Sequence, residues 1–211
     1  MSPNTRLIVI GGFLGAGKTS LLLAWARLLL AGGARVAVLE NEAGRVGVDD
    51  EFLRGQGLLV RHVLGGCACC DGLGRILDQL LALLDSGQYD VIFLEPTGVA
   101  ALDQLLANLP ASRPSLSIQA VALADATRFA TLLKGLPKLA NAQVAPAQAV
   151  VISKADLADA AGLAAVAAAV TGINPAARQV EADLLTHAAE AAAALEGLLT
   201  GPAAAARPEG G

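Results

Sequence analysis

The hydrophobic residues of this chain gather in short runs that alternate with longer segments of helical periodicity. Most of the runs are rich in valine, isoleucine and leucine and have almost no polar face, which is typical of strands buried on both sides. They predict strands at 6–10, 35–39, 58–64, 89–94, 117–123 and 149–152. Apolar positions recur with helical spacing at 18–30, 73–84 and 160–170, which predicts helices there.

This alternation predicts an α/β fold: a doubly wound, mostly parallel sheet with helices on both faces. Ligands of such sheets bind at the carboxyl ends of the strands, so the segments that follow the strands are where chemistry is expected. From residue 200 onward the composition is reduced mainly to alanine, glycine and proline. We therefore expect one domain over residues 1–199 and a disordered tail over residues 200–211.

Charge and composition exclude several classes of partner. The 211 residues include 15 Lys and Arg against 19 Asp and Glu, a net charge of −4, so the chain has no basic field to hold a nucleic acid or an anionic membrane. The amino-terminal apolar run is too short for a signal peptide, and glycine and proline interrupt the least charged stretch at 160–177. We expect a cytoplasmic protein.

Residues 12–19, GFLGAGKT, fit the pattern G-x-x-x-x-G-K-[ST] in full, between a predicted strand and a predicted helix. Glycines at this spacing let the backbone turn its N–H groups around phosphate oxygens, and the helix N-terminus adds a positive dipole end. In such a loop Lys18 reaches the β- and γ-phosphates and the Thr19 hydroxyl ligates Mg²⁺. The predicted nucleotide-binding residues here are Gly12, Gly15, Ala16, Gly17, Lys18, Thr19 and Ser20.

The segment E-P-T-G follows the strand predicted at 89–94. Glu95, at the strand end, is placed to hold Mg²⁺ through water or to polarise an attacking water. The N–H group of Gly98 can contact the γ-phosphate and so respond to hydrolysis. The alternative is an ordinary turn with a solvated Glu95.

The segment S-K-A-D follows the strand predicted at 149–152. The Asp156 carboxylate can accept hydrogen bonds from guanine N1–H and the 2-amino group, which adenine does not offer, while the stem of Lys154 packs on the base. The alternative for Asp156 is a helix N-cap. Asn174, which ends the alanine-rich helix, lies in a loop that either contacts the base or simply stops the helix.

The chain has three cysteines, Cys67, Cys69 and Cys70, all within one glycine-rich turn. Their spacing does not suit a disulfide framework, and thiolates favour Zn²⁺ and similar soft ions. Three thiols in one turn need a fourth ligand from elsewhere, which is a carboxylate, an imidazole or water. Glu42 either supplies this ligand, faces Mg²⁺ or is a solvated loop residue. Thiol redox chemistry and inert buried cysteines are the alternatives.

The motifs run in the order GGFLGAGKTS, LENEAGRVGVDD, GCACC, EPTG, SKAD and INPAARQVEADL. This set resembles the CobW-type P-loop GTPases, which are metallochaperones related to the GTPases that insert nickel into hydrogenase and urease. The resemblance runs from Leu7 to Leu184 and implies a P-loop NTPase fold, GTP hydrolysis, and delivery of a transition metal, often zinc or cobalt. It also implies a role for each matching position: Gly12 to Ser20 in phosphate binding, Glu95 and Gly98 in the E-x-x-G element, Lys154 and Asp156 in guanine binding, Cys67, Cys69 and Cys70 in metal binding, and Glu42 in metal or switch chemistry.

The chain departs from the family pattern at three points. Ser153 stands where the guanine motif usually begins with asparagine or threonine, and Arg45 stands where an acidic residue is common. The separate C-terminal domain that usually follows in the family is expected to be absent.

We therefore predict a cytoplasmic GTPase that binds Mg²⁺–GTP and a thiophilic metal, Zn²⁺ or Co²⁺, with metal affinity coupled to the nucleotide state. The expected partners are GTP, the metal ion and an apo-metalloenzyme client. A second copy of the chain, in a homodimer, is a further candidate partner. Two other functions remain as alternatives: a P-loop phosphotransferase or ATPase acting on a small molecule, and a non-enzymatic, nucleotide-dependent thiol sensor or regulator.

Overall fold

In the computed structural model, which describes residues 5–40, 58–62, 71–96, 102–109 and 116–201, seven parallel strands form one sheet. The strand order is β3-β2-β4-β1-β5-β6-β7. The strands are β1 (Arg6–Gly12), β2 (Val36–Glu40), β3 (Leu59–His62), β4 (Val91–Glu95), β5 (Ser117–Asp125), β6 (Ala149–Ser153) and β7 (Arg178–Ala182). The described helices are α1 (Lys18–Ala31), α2 (Asp71–Ser86), α3 (Leu102–Ala107), α4 (Phe129–Gly135), α5 (Pro137–Val144), α6 (Ala160–Ile173) and α7 (Ala188–Thr200).

Helices cover both faces of the sheet, as the sequence predicted. Alternate residues of β1 divide between the two faces, since Ile8 packs in a core with α1 and α7 whereas Leu7 packs in a core with α2 and α3. On the side of the second core, α4, α5 and α6 cover β5 and β6. With few aromatic residues the cores are mainly aliphatic, although Trp25 and Phe93 make one edge-to-face contact with ring centroids 5.7 Å apart. The predicted doubly wound α/β fold is confirmed.

The strand order reverses at β1, which lies between β4 and β5. In an open parallel sheet a crevice forms where neighbouring strands send their connections to opposite sides, and it opens at the carboxyl ends of the strands. The carboxyl ends of β4, β1 and β5 therefore lie side by side at one edge of the sheet.

Two parts of the chain differ from the sequence prediction. The sequence predicts no strand after the one at 149–152, but Arg178–Ala182 forms the edge strand β7, which pairs with β6. An edge strand has one open side and needs no apolar run, so the segment RQVEA gave no strand signal. The alanine-rich segment after residue 188 forms α7, which extends to Thr200 and buries Ala191, Ala192, Leu195 and Leu199.

Polar contacts at the amino edge of the sheet tie α7 to the strands. The Arg6 guanidinium donates to both carboxylate oxygens of Glu196, at 2.7 and 3.0 Å, and Trp25 Nε1 donates to the same carboxylate at 2.8 Å. Burial is the largest single influence on the Glu196 carboxyl and raises its pKa, but the hydrogen bonds from Arg6 and Trp25 outweigh it, so the pKa lies below its ordinary value. The last described helix is thus fixed to the first strand by a charged pair.

None of the helices in the described ranges is both long and apolar enough to span a membrane.

Candidate nucleotide-binding site

The phosphate loop joins β1 to α1 at the point where the strand order reverses. Gly12 and Gly17 have φ angles of 133° and 94°, in the left-handed region that side chains other than glycine rarely adopt. A Cβ atom at Gly12 would lie 2.9 Å from the carbonyl oxygen of Leu123, and one at Gly17 would lie 2.9 Å from a methyl carbon of Leu184. The loop therefore needs glycine at these two positions for both conformation and space.

A buried glutamine fixes the entry to the loop. Gln143, on α5, accepts a hydrogen bond from the Gly12 N–H group at 3.0 Å and is almost fully buried. Sequence analysis missed this residue, since it lies 131 positions away from Gly12 and belongs to no motif. The contact sets the direction in which the backbone leaves β1.

Three side chains predicted to act on the phosphates and Mg²⁺ lie together at the mouth of the loop. Lys18 is 4% exposed and Glu95 is 2% exposed, and Lys18 Nζ lies 3.9 Å from Glu95 Oε1 and 3.5 Å from the Phe13 carbonyl oxygen. The Thr19 hydroxyl donates to the Glu95 carboxylate, with oxygen–oxygen distances of 3.1 and 3.2 Å. A hydroxyl and a carboxylate are the hard oxygen donors that Mg²⁺ prefers, so the donor set fits this ion.

The guanine-type motif follows β6 at the same edge. Ser153 is buried, and Lys154 has a φ angle of 57°, which turns the chain into the short 3₁₀ helix Ala155–Leu157. Asp156 is exposed and lines a cavity of about 610 Å³, which Ala182 and Asp183 also line. A planar base has room in this cavity.

The helix-cap role that was the alternative for Asp156 belongs to a different residue. Asp159, not Asp156, caps α6, where its Oδ1 accepts a hydrogen bond from the Gly162 N–H group at 2.7 Å. The Asp156 carboxylate therefore has no capping role in α6 and remains at the wall of the cavity.

Asp125, at the end of β5, joins this site although sequence analysis did not select it. Its carboxylate accepts hydrogen bonds from Lys154 Nζ at 2.7 Å, from Arg128 Nε at 3.0 Å and from the Thr127 hydroxyl at 2.6 Å. Burial is the largest influence on Asp125 and raises its pKa, but these hydrogen bonds together lower the pKa below its ordinary value. Asp125 thus stays ionised and fixes Lys154, and the signal that could have found it is a carboxylate at the end of a predicted central strand.

The structure does not bring Asn174 to the cavity that Asp156 lines. Asn174 follows α6, which runs back across the sheet from its carboxyl edge, and precedes β7. Its side-chain amide donates to the carbonyl oxygens of Val144, Ala145 and Ala147, all before the start of β6. Asn174 is therefore at the amino edge, away from Asp156, and it holds the α5–β6 connection in place.

The cysteine cluster, Glu42 and Gly98 lie outside the described residues. The strands that lead to these segments are described: β2 and β3 pair in register at Glu40 and His62, and Glu40 pairs in turn with Glu95 of β4. The ends of β2, β3 and β4 thus lie in one row of the sheet, at Glu40, His62 and Glu95. Among the described residues, no group of three or more His, Cys, Asp or Glu side chains is arranged to hold a metal ion.

Comparison with known proteins agrees with this geometry. Structures similar to the chain include the hydrogenase maturation factor HypB from Archaeoglobus fulgidus, with a TM-score of 0.64, 20% identity, and coverage of 93% of this chain and 91% of that one. They also include the Zn(II)-bound YjiA GTPase from Escherichia coli, with a TM-score of 0.63, 26% identity, and coverage of 90% of this chain and 63% of that one. The first of these likenesses concerns the fold alone.

Sequence relatives carry the comparison further. The chain is 32% identical over 169 residues to the zinc chaperone YjiA of Escherichia coli, which covers 75% of this chain and 51% of that protein. It is 32% identical over 191 residues to the zinc chaperone CobW of a Sinorhizobium species, which covers 75% of this chain and 53% of that protein. The chain thus spans about half the length of these relatives. The model of the family "CobW/HypB/UreG, nucleotide-binding domain" matches residues 6–181, and the chain belongs to this family.

Proposed function

We propose that this chain is a GTP-hydrolysing metallochaperone that couples the binding and delivery of a thiophilic metal ion to the state of its nucleotide. The observation that carries the proposal is the register of β2, β3 and β4, which end together at Glu40, His62 and Glu95. Because of that register, the segment that holds Cys67, Cys69 and Cys70 starts from the same row of the sheet as the carboxylate beside Thr19.

The nucleotide part of the proposal rests on the phosphate loop and its neighbours. Lys18, held in a buried position, neutralises the β- and γ-phosphates, while the loop N–H groups surround the phosphate oxygens. Thr19 and Glu95 are the residues that hold Mg²⁺, which supplies charge neutralisation on the phosphates when it is bound. Glu95, buried beside Lys18, orients the water that attacks the γ-phosphate.

Preference for guanine is assigned to Asp156. Its carboxylate is at the wall of the cavity beside β7, where it accepts the N1–H and 2-amino groups of a guanine ring. Lys154 packs along the base, since Asp125 fixes its amine. Ser153 is too short to act as the usual asparagine does, so Asp156 contributes most of the selectivity.

The metal is the cargo of this protein. Two relatives are named zinc chaperones, and a third, from Schizosaccharomyces pombe and 30% identical over 188 residues, is named a zinc-regulated GTPase metalloprotein activator. Thiolates also suit Zn²⁺ better than hard ions, so Zn²⁺ is the proposed cargo and Co²⁺ the second choice. Cys67, Cys69 and Cys70 are the proposed ligands, with Glu42 as a candidate for the fourth position and an apo-metalloenzyme as the recipient.

A metal titration in three nucleotide states tests the coupling. The dissociation constants of Zn²⁺ and Co²⁺ are measured by competition with a chromogenic chelator, with a non-hydrolysable GTP analogue, with GDP and without nucleotide. We expect the metal affinity to differ about tenfold between the GTP-analogue and GDP states, which is a usual size for coupling between two sites. Binding must be reciprocal, so Zn²⁺ must change the affinity for the GTP analogue by the same factor.

The variant Cys69→Ala/Cys70→Ala is the control for the metal site. It must keep the GDP affinity of the wild type, which shows that the domain is folded, and lose most of its Zn²⁺ affinity. Metal affinity that is indifferent to both the thiols and the nucleotide would falsify the delivery mechanism. A preference for ATP over GTP would instead favour the phosphotransferase or ATPase.

A further inference from the structure

Arg128, just before α4, connects the phosphate loop to the end of β5. Its Nη2 donates to the carbonyl oxygen of Leu14 at 3.0 Å, and its Nε donates to Asp125 Oδ2 at 3.0 Å. Leu14 is in the middle of the phosphate loop and its side chain is 67% exposed. One side chain therefore spans from the tip of the loop to a buried carboxylate.

The contact with Leu14 matters because of how a phosphate loop works. A loop that turns its N–H groups inward around an anion turns carbonyl groups outward, and these need donors from elsewhere. Within the loop the backbone makes one such bond, from Ala16 N–H to the Phe13 carbonyl at 3.2 Å. Arg128 supplies a donor from outside the loop, and its guanidinium packs so closely that a Cβ atom at Gly15 would lie 3.2 Å from Nη2.

Charge favours an anion at this place. Asp125 is paired with two cations, Lys154 and Arg128, so this cluster carries one positive charge in excess beside the loop. The hydrogen bonds lower the pKa of Asp125, which keeps the carboxylate ionised and able to hold both partners. The Arg128 side chain is 49% exposed, and its guanidinium uses two of its five N–H groups on partners in the described part of the chain.

We propose that Arg128 is a positioning residue for the phosphate loop, which it holds through the Leu14 carbonyl and connects through Asp125 to Lys154 of the guanine motif. This inference rests on the proposed binding of GTP by the same loop. Arg128 acts on the backbone of the loop rather than on the reacting atoms. Arg128 therefore affects the affinity for the diphosphate part of the nucleotide, by the same factor for GTP and GDP. It does not affect the rate of the chemical step.

The planar guanidinium is needed because it serves two acceptors in different directions. Nε meets the carboxylate while Nη2 meets the carbonyl, a geometry that the fixed fork of arginine allows. The single ammonium of a lysine keeps the charge but does not reproduce both contacts. Comparison of Arg128→Lys with Arg128→Ala thus separates the effect of the charge from the effect of the bridge.

Dissociation constants for GTP, GDP and inosine diphosphate, together with steady-state GTP hydrolysis, test the inference on the full chain. In Arg128→Ala we expect GTP and GDP to bind about tenfold more weakly, by the same factor, as for loss of a charge-assisted hydrogen bond in a half-exposed place. Arg128→Lys should fall between Arg128→Ala and the wild type. Turnover at saturating GTP should stay within about twofold of wild type, since uniform binding changes KM and not kcat.

The ratio of GDP to inosine diphosphate affinity reports the base contact and should not change in Arg128→Ala. Arg35→Ala is the matched control, because Arg35 also forms an ion pair, with Asp90, at the opposite edge of the sheet. This variant should leave all nucleotide affinities as they are. Thermal unfolding of each variant, followed by circular dichroism, establishes that the compared proteins are folded.

Three results overturn the inference: GDP affinity in Arg128→Ala within twofold of wild type, full recovery in Arg128→Lys, or a loss of turnover at saturating GTP with unchanged affinity. The last would make Arg128 a catalytic residue instead. The same experiment separates these results from a failure of the proposed function. If the proposed function fails, the wild type itself does not bind GTP or GDP in the presence of Mg²⁺.

Discussion

The two edges of the sheet use their charged residues in opposite ways. At the amino edge two cations each have a close carboxylate, with Arg6 2.7 Å from Glu196 and Arg35 2.7 Å from Asp90. At the carboxyl edge Lys18 lies 3.9 Å from Glu95, and two cations share Asp125. Arg6 and Arg35 are thus satisfied within the fold, whereas Lys18, Lys154 and Arg128 lie around a loop that suits an anion.

This difference separates stability from function. Close pairs and buried apolar contacts at the amino edge hold helices and strands together and need nothing from outside. A buried ammonium with a distant partner is costly for a folded protein unless a ligand completes its environment. We therefore expect substitutions at the carboxyl edge to change binding and substitutions at the amino edge to change unfolding.

The largest expected effect is at Lys18. Lys18→Ala removes the buried cation at the phosphates, so GTP hydrolysis should fall by about 10²–10³-fold, the usual effect of losing one such electrostatic contact. Phosphate release under saturating Mg²⁺–GTP measures it. The exposed Lys134, near the end of α4, supplies the control, since Lys134→Ala should stay within about twofold of wild type. If the activity of Lys18→Ala stays within tenfold of wild type, the assignment of nucleotide binding to the carboxyl edge is contradicted.

The next effect compares two carboxylates only three residues apart. Asp156→Ala should lower the preference for GDP over ADP by about a hundredfold, because a hydrogen-bonded base contact is lost. Asp159→Ala removes the α6 cap and should lower the free energy of unfolding by about 1 kcal/mol. Nucleotide competition and urea unfolding are measured on both variants. If Asp159→Ala loses base selectivity, or Asp156→Ala keeps it, the guanine site is wrongly placed.

The smallest effect concerns the pair at the amino edge and its dependence on pH. The Arg35 hydrogen bonds lower the pKa of Asp90 to about 2. The carboxyl in the unfolded chain has its ordinary pKa of 3.8, so the stabilisation is complete above that value and is lost as the pH falls through about 2. Urea unfolding of wild type and Asp90→Asn should thus differ slightly at pH 6 and converge as the pH approaches 2. A difference that grows on acidification would contradict the sign.

Local motifs could be predicted from the sequence because each acts within one strand–loop–helix junction. The phosphate loop, with Lys18 and Thr19, is such a junction, and Glu95 follows from a strand that ends beside it. Gln143 could not be selected this way, since its partner Gly12 lies 131 residues away and the contact exists only after the sheet has formed. Asp125 ends a strand as Glu95 does, but its contact with Lys154, 29 residues away, also forms only in the folded sheet. Their roles belong to the tertiary structure.

Asn174 was misplaced for a different reason. Its sequence context identified the end of a helix correctly, and Asn174 does cap α6. A helix that follows a strand in a parallel sheet returns to the amino edge, so the end of α6 lies away from the carboxyl edge, where Asp156 lies. Strand–helix alternation alone would have corrected this expectation.

The pair of Arg6 with Glu196 has a consequence for synthesis of the chain. The two residues are 190 positions apart, so the ribosome completes nearly the whole domain before the carboxylate that meets the first strand exists. Until then Trp25 lacks its acceptor on the last helix, and the apolar surface of α1 under α7 stays uncovered. Contacts this distant in sequence form late in folding, so the growing chain exposes that surface during most of its translation.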